Sequence, residues 1–353
     1  MNVEINVPAG SSRGYPVTIG RGLTGNCAEL LAPVFSGKKI AVITDSNVAP
    51  LYMERVRASL ERAGFIVIEY VFPAGEGSKN LSTLSDILEF LADNRLSRSD
   101  ALVALGGGVV GDIAGFAAGC YMRGIKYSQI PTTLLACVDS SVGGKTAADL
   151  RAGKNLAGLF YPPQAVIIDP DCLSTLPDEV LSDGVAEVIK TGILDGEDLF
   201  SLAERGNIRE NADEIIKKCV MYKAKIVAAD EFERGERKLL NLGHTVGHAV
   251  ETLSGYKVSH GHAVAIGTAI ITRAAVKLGR CSDEVCARIL AALRACGLPT
   301  ATDFSADALA DAAISDKKRS GDSITLVLPR GIGDCKLFET PVEELRGIIK
   351  PGL

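Results

Sequence analysis

The stretch ALVALGGGVVGDIAGFAAGC, residues 101–120, decides the fold. Twenty mostly apolar residues are long enough to imitate a membrane-spanning helix. This run contains Asp112 and six glycines, however, and reads better as a buried strand, a glycine turn and a buried helix. The flanking sequence repeats that pattern. On the N-terminal side, KKIAVITD (38–45) and FIVIEYVF (65–72) are short β-rich runs, each followed by helical spacing, at 49–63 and at LSTLSDILEFLADN (81–94). On the C-terminal side lie KYSQIP (126–131) and AVIIDP (165–170). Strands alternating with helices imply βαβ units and a parallel sheet. Val3–Val7 and Tyr15–Ile19 form an expected antiparallel hairpin on its edge. After Pro177-Asp178, a good helix start, the pattern turns helical over 177–193, 208–230, 243–254, 261–279, 283–296 and 341–349. One β pair, SITLVLP and CKLFET, interrupts it. The chain therefore divides near residue 170.

Composition bounds the function. The 353 residues are 47% hydrophobic and 23% charged, an ordinary globular balance for about two domains. A net charge of −5 gives no electrostatic reason to bind nucleic acid or an anionic membrane. An anionic ligand would need a local basic cluster. The nine cysteines are scattered without a C-x-x-C pair. With no signal-peptide pattern, they imply a soluble protein of the reducing cytoplasm.

Gly106, Gly108 and Gly111 follow G-x-G-x-x-G spacing between the strand and the helix of the opening stretch. Such glycines let backbone approach a pyrophosphate at a helix N-terminus, although a packing turn explains the pattern as well. The acidic residue usual about 20 positions later is missing, since Lys126 and Tyr127 stand there. Asp45, at the end of a strand, could reach a ribose, and Glu76, Lys79 and Asp112 add polar groups in neighbouring turns. The basic cluster follows in a loop rich in glycine and small residues, with Asp139, Lys145, Lys154 and Asn155. It can bring ammonium groups to a phosphate or carboxylate, and for any single lysine the plain alternative is a solvated surface. Lys190 shares a helix face with Glu187, three residues earlier. Arg237 and Asn241 precede His244.

All four histidines, His244, His248, His260 and His262, lie within nineteen consecutive positions. His244, His248 and Glu251 are spaced i, i+4, i+7 and form one helical stripe. Two histidines and a glutamate are a standard catalytic zinc set with one position left open. Spacing alone leaves the choice between Glu251 and a distant carboxylate undecided.

Together these motifs carry a resemblance. GGGVVGD (106–112), YMRG (121–124), PTTLLACVDSSVGGKTA (131–147), GKNLAGLFYPP (153–163), AEVIKTG (186–192), KAKIVAADE (223–231), LNLGHTVGHAVE (240–251) and DKK (316–318) resemble the 3-dehydroquinate synthase family, in order and over nearly the whole chain. The resemblance implies an α/β N-terminal domain (1–170) with a mainly parallel, Rossmann-like sheet that binds NAD. A mainly α-helical metal- and substrate-binding domain (171–353) follows, with a cleft between the two. It places the metal ligands, for Zn2+ with Co2+ as an alternative, on Glu187, His244 and His260. The substrate phosphate falls to Lys145, Asn155, Asn241, His248 and Lys317, with the partner subunit's Arg123. Lys190, Lys223 and Arg237 fall on substrate-binding positions, and Asp139 lies near the reacting hydroxyls. Asp45, Glu76, Lys79, Gly108, Asp112, Thr132, Thr133, Lys145, Lys154 and Thr175 fall on NAD-binding positions. Where many members read H-G-E, this chain reads His260-Gly261-His262, so His262 is expected at a helix start with a modest role.

The chemistry implied is conversion of 3-deoxy-D-arabino-heptulosonate 7-phosphate to 3-dehydroquinate in a cytoplasmic homodimer. NAD oxidises C5, the acidified C6–H allows phosphate to leave, and the hydride returns. Ring opening and an intramolecular aldol closure complete it. Metal-dependent polyol dehydrogenases share this architecture but need no phosphate and carboxylate pocket, so Lys145, Lys154, Lys190, Lys223 and Arg237 argue against them. A non-catalytic NAD-binding protein would not need the ligand set together with those lysines. Cyclases acting on glucose 6-phosphate or sedoheptulose 7-phosphate are closer rivals.

Overall fold

Ala101–Gly106 is a fully buried strand and Gly108–Cys120 a helix, and among the described residues no helix is long and apolar enough to cross a membrane. The computed structural model describes residues 2–9, 12–317 and 322–353, less the side chains of 8, 9, 12, 13, 316 and 317. The chain forms two compact units, Met1–Leu176 with Lys223–Glu231, and Pro177–Tyr222 with Phe232–Leu353.

The strands of the first unit are β1 (Val3–Ala9), β2 (Ser12–Ile19), β3 (Lys39–Asp45), β4 (Ile66–Phe72), β5 (Ala101–Gly106), β6 (Lys126–Pro131), β7 (Lys145–Leu150), β8 (Gly153–Phe160) and β9 (Val166–Ile168). Its helices are α1 (Ala28–Leu31), α2 (Glu54–Arg62), α3 (Leu81–Asp93) and α4 (Gly108–Cys120). Seven strands make one sheet in the order β1-β2-β9-β6-β5-β3-β4. All neighbours are parallel except the β1–β2 edge hairpin, in which Val3 pairs with Ile19. Ile40 and Val42 of β3 pack with Val56 and Leu60 on one face, and Ala41 and Ile43 with Ile87 and Ile113 on the other. Burial on both faces explains why these strands are continuous apolar runs rather than alternating ones. The chain leaves β3 for β4 on one side and returns to β5 on the other. The carboxyl ends Asp45 and Gly106 therefore flank a topological switch point, where open α/β sheets bind ligands.

The segment read as a glycine-rich loop is in part a two-stranded hairpin, with Lys145 of β7 opposite Phe160 of β8. Its alanines and glycines lack the β-branched, alternating signature of a strand. Close approach by α4 supplies the pairing context: a Cβ on Gly115 would stand 2.6 Å from Thr146 Cγ2.

Asp169, wholly buried, closes the first unit by accepting hydrogen bonds from Gly22 N (3.0 Å), Thr24 N (2.9 Å), Thr24 Oγ1 (2.7 Å) and Asp171 N (3.1 Å). Asp169→Ala would strand the buried Thr24 donors. The expected loss is about 3 kcal/mol, in the range for buried donors that lose a charged acceptor, read as a lower urea midpoint.

The second unit holds α5 (Asp178–Asp195), α6 (Glu197–Glu204), most of α7 (Ala212–Ala229), α8 (His244–Leu253), α9 (His260–Lys277), α10 (Asp283–Ala295), α11 (Ala306–Lys317) and α12 (Leu345–Ile349). An antiparallel pair, β10 (Ser323–Gly331) and β11 (Asp334–Pro341), joins them. Helices α6 and α11 lie outside the helical segments expected from the sequence, and β11 runs to Pro341, so the last helix starts at Leu345 rather than at 341. Helix α9 lies directly on its neighbours. A Cβ on Gly261 would stand 2.1 Å from the Asp183 carbonyl oxygen of α5, and one on Gly267 2.0 Å from the Gly243 oxygen. These contacts bring α5, α8 and α9 together at the starts of α8 and α9.

Candidate metal and dinucleotide sites

Three of the four histidines converge with Glu187. His244 is the first residue of α8, after Gly243 in left-handed backbone (φ +78°), and His260 is the first residue of α9. Nε2 of His244 and of His260 stand 3.6 and 3.3 Å from the same oxygen, Glu187 Oε1. The His244 ring lies 5.4 Å from that of His248 and 5.3 Å from that of His260. The other ring nitrogens are engaged: His244 Nδ1 lies 3.1 Å from the Leu242 carbonyl oxygen, and His260 Nδ1 lies 3.2 Å from Glu251 Oε2. Glu187, His244 and His260 can present one ligand atom each within 4.8 Å of one another. His248, Glu251 and His260 form a second such group. The stripe of His244, His248 and Glu251 forms neither group, because Glu251 turns toward α9.

The electrostatics are asymmetric. Burial pushes His244 down to about 3, helped by the Lys190 ammonium, so it is a neutral donor at physiological pH. Burial also opposes charge on His260, but its hydrogen bonds to Glu187 and Glu251 outweigh that and lift it to about 10. Lys190 Nζ stands 2.5 Å from Glu187 Oε2, with both side chains 1% exposed. A metal would displace the Nε2 proton of His260, and the buried Glu187 carboxylate with two imidazole nitrogens can then hold a cation through Nε2, Nε2 and Oε1. The donor set matches the His2Glu pattern, and the engaged Nδ1 atoms leave Nε2 as the ligand atoms.

His262, the third residue of α9, stands apart from both groups. Its Nε2 lies 3.2 Å from Ser182 Oγ, and its amide donates to Asp183 Oδ1 at 3.2 Å. Arg237 is wholly buried. Asn241 Nδ2 donates to Glu233 Oε1 at 2.5 Å. Glu233 holds φ +58° without being glycine, and nothing in its sequence neighbourhood marked it. Lys317 is the last residue of α11, and its side chain lies outside the described residues.

In the first unit, Lys79 Nζ is 2.5 Å from Asp112 Oδ2 and donates to Asn155 Oδ1 at 2.6 Å. Burial opposes charge on Lys79, but Asp112 and Glu76 raise its pKa overall. Lys154 Nζ lies 3.4 Å from Glu76 Oε1. Gly108 opens α4, which no side chain caps. Thr132 N donates to the Gly106 carbonyl at 3.0 Å, and a Cβ on Gly107 would stand 3.0 Å from Thr133 Cγ2. Asp45 Oδ1 accepts from Asn47 N (2.8 Å) and Val48 N (3.0 Å). Thr175 Oγ1 is 2.5 Å from the Tyr52 hydroxyl. Lys223 Nζ pairs with the Asp139 carboxylate and donates to the Asp139 carbonyl at 2.7 Å. Lys145 and Arg123 are exposed.

Sequence profiles of the 3-dehydroquinate synthase N-terminal and C-terminal domains match residues 69–183 and 184–319. The chain belongs to the 3-dehydroquinate synthase family. The 3-dehydroquinate synthase of Streptococcus suis (strain 05ZYH33) is 43% identical over 352 residues, 98% of each chain. Among solved structures, a 2-deoxy-scyllo-inosose synthase complexed with carbaglucose-6-phosphate, NAD+ and Co2+ superposes with a TM-score of 0.88 at 26% identity, covering 99% of this chain and 100% of its own. The 2-epi-5-epi-valiolone synthase of Streptomyces hygroscopicus subsp. jinggangensis 5008, with NAD+ and Zn2+ bound, gives 0.87 at 28% identity and covers 98% of each chain.

Proposed function

We propose that this member of the 3-dehydroquinate synthase family converts 3-deoxy-D-arabino-heptulosonate 7-phosphate to 3-dehydroquinate and phosphate. The observation that carries the reading is the cluster of Glu187, His244 and His260 beside the Lys190 ammonium. The full-length similarity to 3-dehydroquinate synthases selects the substrate. When bound, NAD supplies a reversible hydride acceptor, and a divalent metal, Zn2+ or Co2+, supplies a Lewis acid that lowers the pKa of hydroxyls. The overall conversion is redox-neutral, so NAD is recycled.

The residues divide the work. The first unit is the NAD-binding domain: the turn at 106–108 and the uncapped start of α4 offer backbone amides to a pyrophosphate. Asp45, Glu76, Lys79, Asp112, Thr132, Thr133, Lys145, Lys154 and Thr175 are the other NAD-binding positions. Lys79 occupies Asn155 Oδ1, so the amide Nδ2 is what Asn155 offers an anion. The Asp139–Lys223 pair keeps a carboxylate and an ammonium in place for substrate hydroxyl and carboxylate groups. The second unit holds the metal through Glu187, His244 and His260. Asn241, His248 and Lys317 are its phosphate-binding positions, Lys145 and Asn155 are those of the first unit, and Lys190 and Arg237 bind substrate.

We assign the active form to a cytoplasmic homodimer. Support comes from nine free cysteines and from Leu156 and Phe160, exposed large apolar side chains four residues apart and so on the same face of β8, which a second copy could cover. The test is product identification by NMR with heptulosonate, glucose and sedoheptulose phosphates offered separately. Dehydroquinate from the first alone is expected, and a carbocycle from either other sugar would move the chain to a neighbouring cyclase activity.

A further inference from the structure

We infer that Glu251 is a positioning residue for the metal centre, acting through His260 rather than on the metal; this rests on the ligand set proposed above. Glu251 sits in α8, buried, two turns after His244. Its Oε2 lies 3.2 Å from His260 Nδ1, while His260 Nε2 faces Glu187 Oε1 at 3.3 Å. One imidazole thus spans two carboxylates, one at each nitrogen. A metal-bound histidine that donates its other N–H to a carboxylate is held in one tautomer and one ring orientation, and it becomes a more basic ligand.

The need for that support is visible in the ligand set. Glu187, its only carboxylate, is already paired with Lys190 at 2.5 Å, which withdraws charge from the metal side. His244 Nδ1 has only a neutral partner, the Leu242 carbonyl. His260 is also the more exposed of the two histidines, with 33% of its side chain accessible against 13% for His244, so packing constrains it less. Glu251 is the group that fixes it and returns negative charge to the centre. The competing arrangement takes Glu251 as a ligand with His248 and His260, since those three also lie within ligand distance of one another. In that case Nδ1 of His260 would carry the metal and Nε2 the proton.

With only four histidines in the chain, 15N-histidine NMR of the zinc-loaded wild-type protein separates the two without any substitution. The expected spectrum has His260 metal-bound at Nε2 and protonated at Nδ1; metal at Nδ1 overturns the proposal. Zinc competition with a chelating dye then gives affinities. Glu251→Ala should still bind one zinc per chain, about 10- to 100-fold more weakly. Glu251→Gln should recover part of that loss, because its amide oxygen still accepts from Nδ1–H. Loss of zinc from Glu251→Gln as complete as from Glu187→Ala would make Glu251 a ligand, and unchanged affinity in Glu251→Ala would leave it no role. Wild-type zinc affinity in Glu187→Ala and His244→Ala would instead overturn the ligand set.

Discussion

Alanine at Glu187, His244 or His260 is expected to remove bound zinc and to lower turnover by about 1,000-fold or more, because a Lewis acid worth roughly 4 kcal/mol is lost. Each can present one of three ligand atoms that lie within 4.8 Å of one another, so in the proposed set no remaining pair is enough. The effect is local. Glu187→Ala leaves Lys190 buried without that carboxylate, and a folding cost accompanies the loss of metal there. His244 and His260 carry no comparable buried ion pair with lysine, and their variants should keep the wild-type circular dichroism. His262→Ala is the control. It gives up a contact to Ser182 Oγ, and zinc content and turnover should stay near wild type. Metal analysis of the four purified variants checks the set. Zinc lost from His262→Ala and kept by His260→Ala would overturn the assignment on α9.

Much of this centre could be read from the chain, and the part that could not has a common cause. The strand–turn–helix at 101–120 was legible because an apolar run broken by glycines obeys local rules, whereas its register in the sheet was not, because burial on both faces removes the alternation that would fix it. Lys190 beside Glu187 followed from helical spacing. The same spacing joined His244, His248 and Glu251 into one stripe, and there it misled. A helical repeat reports which residues share a face, and the partner of that face comes from α5 and α9, distant in sequence. Gly261 and Gly267 decide that packing by how closely they let backbone approach. A glycine inside an apolar helix carries no label saying so. The resemblance, not periodicity, supplied Glu187 and His260 as ligands. Lys79 with Asn155 and Glu233 with Asn241 stayed hidden for the same reason: each is a hydrogen bond between segments whose local patterns are unrelated. The β7–β8 hairpin was missed because alanine and glycine do not announce a strand.

The experiment that separates a cyclase from a polyol dehydrogenase turns on where the hydride ends. The conversion proposed here is redox-neutral overall, so the hydride taken from the substrate must return before products leave. With NAD substoichiometric to heptulosonate phosphate, the protein should release many equivalents of inorganic phosphate. NADH should appear only transiently, at no more than about one equivalent per active site, as a recycled cofactor requires. A dehydrogenase does the reverse: NADH accumulates with each substrate oxidised, and no phosphate is freed. The glycine turn at 106–108 and the proposed metal ligands serve either chemistry. The cations proposed to bind substrate anions do not, since a polyol offers nothing for Lys190, Lys223 and Arg237 to neutralise, and all three are buried. Burying three cations is costly unless an anion or a fixed partner compensates each. Lys190 has Glu187 and Lys223 has Asp139 as fixed partners, so substrate anions compete for charges that are already held in place. Stoichiometric NADH without phosphate release would mean that these cations serve the fold alone, and the cyclase reading would fall.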